Sequence, residues 1–220
     1  MIGFVTNPCD ICCSFISVIM KITLFFIAFL TCYTSYSQDA NKVLILIKEE
    51  SSQLEFMLEN EALKMSEMLE NSGFEVTTAT VTGKRLHVGS VSFIPDLKLN
   101  QVNIDDYDGF IIPCMIVDKT AEETVSFVKN VVKSNKPIAA QVASVYLLAE
   151  AGALKGKKYA LYSDQSAKSA FEGSVYAGKG VVKDGNIITS GGCPWAEHKN
   201  RGKDRTTELT QAFINMVKAH

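Results

Sequence analysis

Three short apolar runs restrict the fold more than any other feature of the chain. They are 41-NKVLILIK-48, 107-YDGFIIP-113 and 138-IAAQ-141. A short, almost continuous apolar run suits a strand buried on both faces, which is the situation of a parallel sheet. Between the runs lie helical patterns. Leu58, Ala62, Met65 and Leu69 recur at helical spacing and should face the sheet, with Gly73 closing the helix. The β-branched 74-FEVTTATV-81 is strand-like. Residues 90–102 read as irregular or short-stranded. Thr120 with Glu123 reads as a capping box, opening a helix that buries Ala121, Val125, Val128 and Val132. The strand ending at Gln141 turns sharply through Val142, Ala143 and Ser144 into a helix closed by Gly152. Asp184-Gly185 is a hairpin signal. A last helix from about Thr206 to Lys218 carries Leu209, Ala212, Phe213 and Met216 on one face.

This alternation predicts an α/β sandwich with a mostly parallel sheet. Ligands of such sheets bind beyond the C-terminal strand ends. That rule gathers residues 113–117, 141–144, 163–164 and 191–195 around one pocket.

Composition narrows the function classes. The 220 residues carry a formal net charge of −2, and no Lys/Arg run exceeds two residues, which argues against nucleic acid as a partner. The histidines are His87, His198 and His220, with no H-x-x-x-H spacing. Of these, only His198, close to Trp195 and Glu197, is a candidate to line a pocket. Cys9, Cys12 and Cys13 have C-x-x-C spacing without a second half. No metal and no cofactor are expected.

Residues 1–37 read as a leader and 38–220 as the folded domain. From Met20, the expected start, a lysine, an apolar run from Ile22 to Leu30 and small polar residues follow the layout of a secretory signal, with cleavage before Gln38. The run is short for a membrane span. The expectation is export, periplasmic or secreted. A retained leader, or a lipid on Cys32, would instead anchor the chain. Cleavage leaves Cys114 and Cys193, which could pair in an oxidising compartment.

Three stretches carry a family resemblance: 95-PDLKLNQVNIDDYDGFIIP-113, 136-KPIAAQVASVYLLAEAGALKGKK-158 and 181-VVKDGNIITSGG-192. Together they resemble the ThiJ/PfpI superfamily over about residues 43–218. The resemblance implies a flavodoxin-like three-layer sandwich of the class I glutamine-amidotransferase-like kind, usually a homodimer. It also implies a nucleophilic cysteine at the strand-to-helix elbow, an early glutamate beside it and often a histidine after it. The implied reactions are hydration of methylglyoxal, removal of glycation adducts, or peptide hydrolysis.

The chain departs from that pattern where the chemistry sits. Val142 occupies the nucleophile position, Ala143 that of the histidine and Ser144 that of the following glycine. Valine offers no nucleophile. A β-branched residue also tolerates positive φ poorly, so either the elbow relaxes or Val142 is strained. Ser144 is expected to cap its helix. Cys114 and Met115 replace the family's glycines. The early glutamate is Glu61 if the helix aligns without gaps, with Glu59 and Glu55 as alternatives. Cys114, Met115, Ser163, Cys193 and Trp195 are expected to line the pocket. For Trp195 a lid, an interface anchor and core packing all stay open. These residues predict an exported, catalytically degenerate protein, a pseudoenzyme that keeps a pocket for a small molecule or partner. The alternative is an aldehyde-handling (glyoxalase- or deglycase-like) or peptidase-like enzyme, with Cys114 as displaced nucleophile and Glu61 as its acid or base.

Overall fold

The computed structural model describes residues 40–220. The leader over residues 1–37, with Cys32 and the Cys9/Cys12/Cys13 cluster, lies outside them. The first apolar run forms β1 (Lys42–Leu46), whose Val43–Leu46 are all buried. The following helix comes in three parts: α1 (Leu54–Met57), a π-helical turn (Leu58–Ala62) and α2 (Leu63–Glu70). Next come β2 (Glu75–Thr80), the β3 (Leu86–Val88) and β4 (Val91–Phe93) ribbon, and β5 (Leu97–Lys98). The second run forms β6 (Gly109–Ile112), followed by α3 (Glu122–Lys133). β7 (Ile138–Gln141) leads directly into α4 (Ala143–Glu150). The chain ends with β8 (Lys158–Tyr159), β9 (Val175–Tyr176), β10 (Val181–Asp184), β11 (Ile187–Ser190), α5 (Pro194–His198) and α6 (Thr206–Lys218).

The main sheet has the order β10-β11-β7-β6-β1-β2-β5. All its pairs are parallel except the β10–β11 hairpin. Gly185 takes φ +63° at that hairpin's turn, a conformation glycine adopts without steric cost. β6 shows why the sheet has two covers. Successive residues of a strand point to opposite faces. On one face a side chain at Gly109 would come within 2.8 Å of Phe213 and Val217 of α6, so glycine lets that helix sit directly on the strand. On the other face Phe110 meets Phe127 of α3 edge-on at 5.8 Å.

Two local expectations are corrected. Thr120 and Glu123 form no capping box: α3 starts from Ala121, which has no side-chain cap. Its buried stripe is Thr124, Val128 and Val131, while Ala121, Val125 and Val132 are only partly covered. The helix packs on the face centred on Val128, which the expected stripe shares, rather than on the face through Val125 and Val132. Among the described residues, no helix is long and apolar enough to cross a membrane.

Candidate functional site

Four strand ends converge. β1 delivers Lys48, β6 delivers Pro113 and Cys114, β7 delivers the elbow at Val142, and β11 delivers Gly191, Gly192 and Cys193. Gly192 is required by close approach, because a Cβ there would fall 1.9 Å from the Lys203 carbonyl oxygen. That closeness lets the loop carry Cys193 inward.

The elbow keeps its shape. Val142 has φ +41° and ψ −99°, and its N–H donates to the Ser190 oxygen at 2.9 Å. Of the two expected outcomes, a relaxed turn or a strained valine, the structure has the strained valine. Ser144 is not the helix cap. Its buried hydroxyl donates to the Pro113 oxygen at 2.5 Å, tying the start of α4 to the end of β6. Gln141 Nε2 donates to the Gly192 oxygen at 2.7 Å and to Thr206 Oγ1 at 3.0 Å, tying β7 to the loop after β11 and to α6.

Helical spacing decides which glutamate points inward: Glu61 stands three residues after Leu58 and four before Met65, on the buried face of the helix. Glu61 is fully buried, whereas Glu59 and Glu55 are not. Glu55 instead binds Ser90 through its backbone N–H at 2.7 Å and its hydroxyl at 2.9 Å. Glu61 Oε1 accepts the Cys114 N–H at 2.6 Å, and Glu61 Oε2 is buried without a partner. Burial pushes the Glu61 carboxyl well above the ordinary carboxylate range, and the nearby Cys193 pushes it further.

Cys114 and Cys193 are free thiols, each about 1% exposed. Their sulfurs and the Glu61 carboxylate lie within 4.8 Å of one another. The neighbouring Cys193 thiol and burial hold the Cys114 thiol well above its ordinary value. Cys193 is lowered, first by the Cys114 hydrogen bond and then by the amides of Ala196 and Trp195. Cys193 is therefore the more acidic thiol of the pair. This counts against Cys114 as a lone activated nucleophile.

Lys48 was not singled out by the sequence, where it is an ordinary lysine after a strand. It is 4% exposed, and burial lowers its ammonium pKa to about 8, with Cys114 the largest opposing influence. The one clue was its position: a charged residue directly after a buried parallel strand lies at the ligand end of the sheet.

Above these groups opens a cleft of about 780 Å³, lined by Cys114, Cys193, Trp195, Val142, Ile116 and Lys48 among others. Met115 and Ser163 do not line it. Met115 is fully buried in the core, and Ser163 hydrogen-bonds Gln165 instead. His198 is likewise outside the lining. It is exposed and packs against Phe56 and Trp195 at ring distances of 5.3 and 5.4 Å. His87 is exposed on β3.

A doubly wound sheet with a strand-to-helix elbow at its ligand end defines a flavodoxin-like α/β protein of the ThiJ type. The model of the DJ-1/PfpI family matches residues 41–198, and the chain belongs to that family. An uncharacterised protein of Archaeoglobus fulgidus is 30% identical over 154 residues, covering 68% of this chain and 88% of the relative. Protein dj-1beta of Drosophila melanogaster is 28% identical over 188 residues, covering 80% and 97%. The crystal structure of Drosophila DJ-1beta aligns with a TM-score of 0.55 at 26% identity, covering 82% of this chain and 96% of that one. A ThiJ/PfpI domain protein from Brachyspira murdochii aligns at 0.63 with 15% identity, covering 82% and 98%, a likeness of fold.

Proposed function

We propose that this chain is an exported DJ-1/PfpI protein that has lost the elbow-cysteine chemistry and keeps its cleft to bind a small molecule. The observation that carries this reading is Val142, held at φ +41° in an elbow with no reactive atom at its tip. Such strain persists only where the surroundings impose it. The scaffold is kept although its nucleophile is absent. Lys48, Lys119 and Arg201 outnumber Asp118 and Glu150 around the cleft, and Ile116, Val117 and Trp195 supply apolar walls. A ligand with an anionic group and an apolar body suits such a lining. The proposed protein is a homodimer, acts after removal of residues 1–37, and needs neither nucleic acid nor a lasting membrane span.

The test uses 8-anilinonaphthalene-1-sulfonate, which combines a sulfonate with apolar rings. Saturable binding that quenches Trp195, the single tryptophan, and is lost in Ile116→Arg supports the reading. Lactate formation from methylglyoxal by the wild-type chain would overturn the catalytic part. N-terminal sequencing of exported protein should begin at Gln38.

A second reading is favoured by one observation: the Cys114 and Cys193 sulfurs lie within 4.8 Å of the Glu61 carboxylate and line the cleft. Thiol chemistry on aldehydes or peptides would then run from the Cys114/Cys193 pair. Loss of any measured turnover in both Cys114→Ser and Cys193→Ser is its required outcome.

A further inference from the structure

We infer that Glu61, Cys114 and Cys193 form a site for one thiophilic divalent cation of the Zn²⁺ class, at the floor of the cleft. The inference rests on the binding reading above and adds what stands at the base of that pocket. Three donor types that suit zinc are brought together from remote segments: the π-turn, the end of β6 and the loop after β11. Their ligand atoms already lie within 4.8 Å of one another, and all three residues are buried. Tetrahedral Zn²⁺ takes sulfur at about 2.3 Å and carboxylate oxygen at about 2.0–2.2 Å, so modest side-chain rotation closes the set.

A second observation points independently to a ligand. Glu61 Oε2 is fully buried and has no hydrogen-bond partner. Such an atom is costly to leave unmatched. Its twin Oε1 is held by the Cys114 N–H at 2.6 Å. One oxygen thus orients the carboxylate and the other is free to coordinate, a division of labour usual around metal ligands. The charges also balance. Two thiolates, one carboxylate and a divalent cation leave one negative charge, and the buried Lys48, which lines the same cleft, is the cationic side chain placed to offset it. The thiol protons leave as the metal binds. Because Cys114 and Cys193 both line the cleft, the fourth position opens to a water or a ligand group.

The experiment titrates Co²⁺ into the reduced full chain, with Cys9, Cys12, Cys13 and Cys32 replaced by serine so that leader thiols contribute nothing. A thiolate-to-cobalt charge-transfer band that saturates at one ion per chain, and is bleached by Zn²⁺, is expected. Cys114→Ser and Cys193→Ser should each weaken the band, and together abolish it. Glu61→Gln keeps an acceptor for the Cys114 N–H and should fold, but should lower Co²⁺ affinity roughly ten-fold or more. Absence of the band at saturating Co²⁺ would overturn the site, as would a band indifferent to all three substitutions. Binding of 8-anilinonaphthalene-1-sulfonate to the same proteins separates the two readings. Dye bound without a cobalt band sinks the metal site alone. A cobalt band without dye binding sinks the pocket reading alone.

Discussion

Val142 shows what it takes to hold a residue without a nucleophile at a strand-to-helix elbow. A valine at φ +41° costs about 1–3 kcal/mol in backbone strain. Its side chain is 8% exposed, and burying a valine contributes about 1.5–3 kcal/mol. The two effects nearly cancel, so Val142→Gly should change stability by less than about 1 kcal/mol in urea unfolding. A loss above about 2 kcal/mol would show that packing, not the turn, dominates there. The sequence made the missing nucleophile legible, because valine cannot serve at any geometry. It left Ser144 misassigned. A serine at the start of a helix reads as a cap, and only tertiary contact offers it the Pro113 oxygen instead.

At the level of elements, the junctions between strand ends set the site. Ser144→Ala removes a buried hydroxyl that joins α4 to β6 and leaves the Pro113 carbonyl without that donor. The expected cost is about 1–3 kcal/mol, read from the shift in urea midpoint. The hairpin edge depends on Asp184. Its carboxylate accepts the Lys158 N–H at 2.8 Å and lies 3.5 Å from Lys157 Nζ, which together hold its pKa below the ordinary value. A carboxyl depressed in the folded state binds protons more readily when unfolded. Its contribution is therefore complete above the unfolded value, about pH 3.9, and is lost as pH falls through the folded one. The stability difference between wild type and Asp184→Asn should be flat above about pH 5 and shrink on acidification below about pH 4. A difference that does not vary with pH would remove Asp184 from the account. The π-turn itself leaves no mark in the periodicity. The apolar spacing matches an ordinary helix at Leu58, Ala62, Met65 and Leu69, all buried as expected. Glu61, three residues after Leu58 and four before Met65, lies on that same face.

Across the whole molecule, the testable quantity is assembly. Sedimentation equilibrium should give twice the monomer mass for the proposed homodimer, the monomer being 24.1 kDa with its leader and correspondingly less without it. A concentration-independent monomer mass would remove the dimer from the proposal. The molecule also explains why the cleft could be located better than it could be lined. Strand ends are predictable because apolar runs stop at Lys48, Pro113, Gln141 and Gly191. Which side chains at those ends face the opening depends on loop paths. Met115 turned into the core, and Ser163 turned to Gln165.

The sequence by itself determined the layers, the parallel strands and an elbow tip, Val142, that offers no nucleophile. Burial on two faces, helical spacing and the chemistry of valine are local properties that need no partner. Only the tertiary structure decided that Glu61, Cys114 and Cys193 meet, that Lys48 is buried beside them and that Val142 is strained. The first of these joins segments up to 132 residues apart, from Glu61 to Cys193. No spacing along the chain encodes them, because convergence depends on how the sheet orders its strands and how closely Gly192 lets the last loop approach.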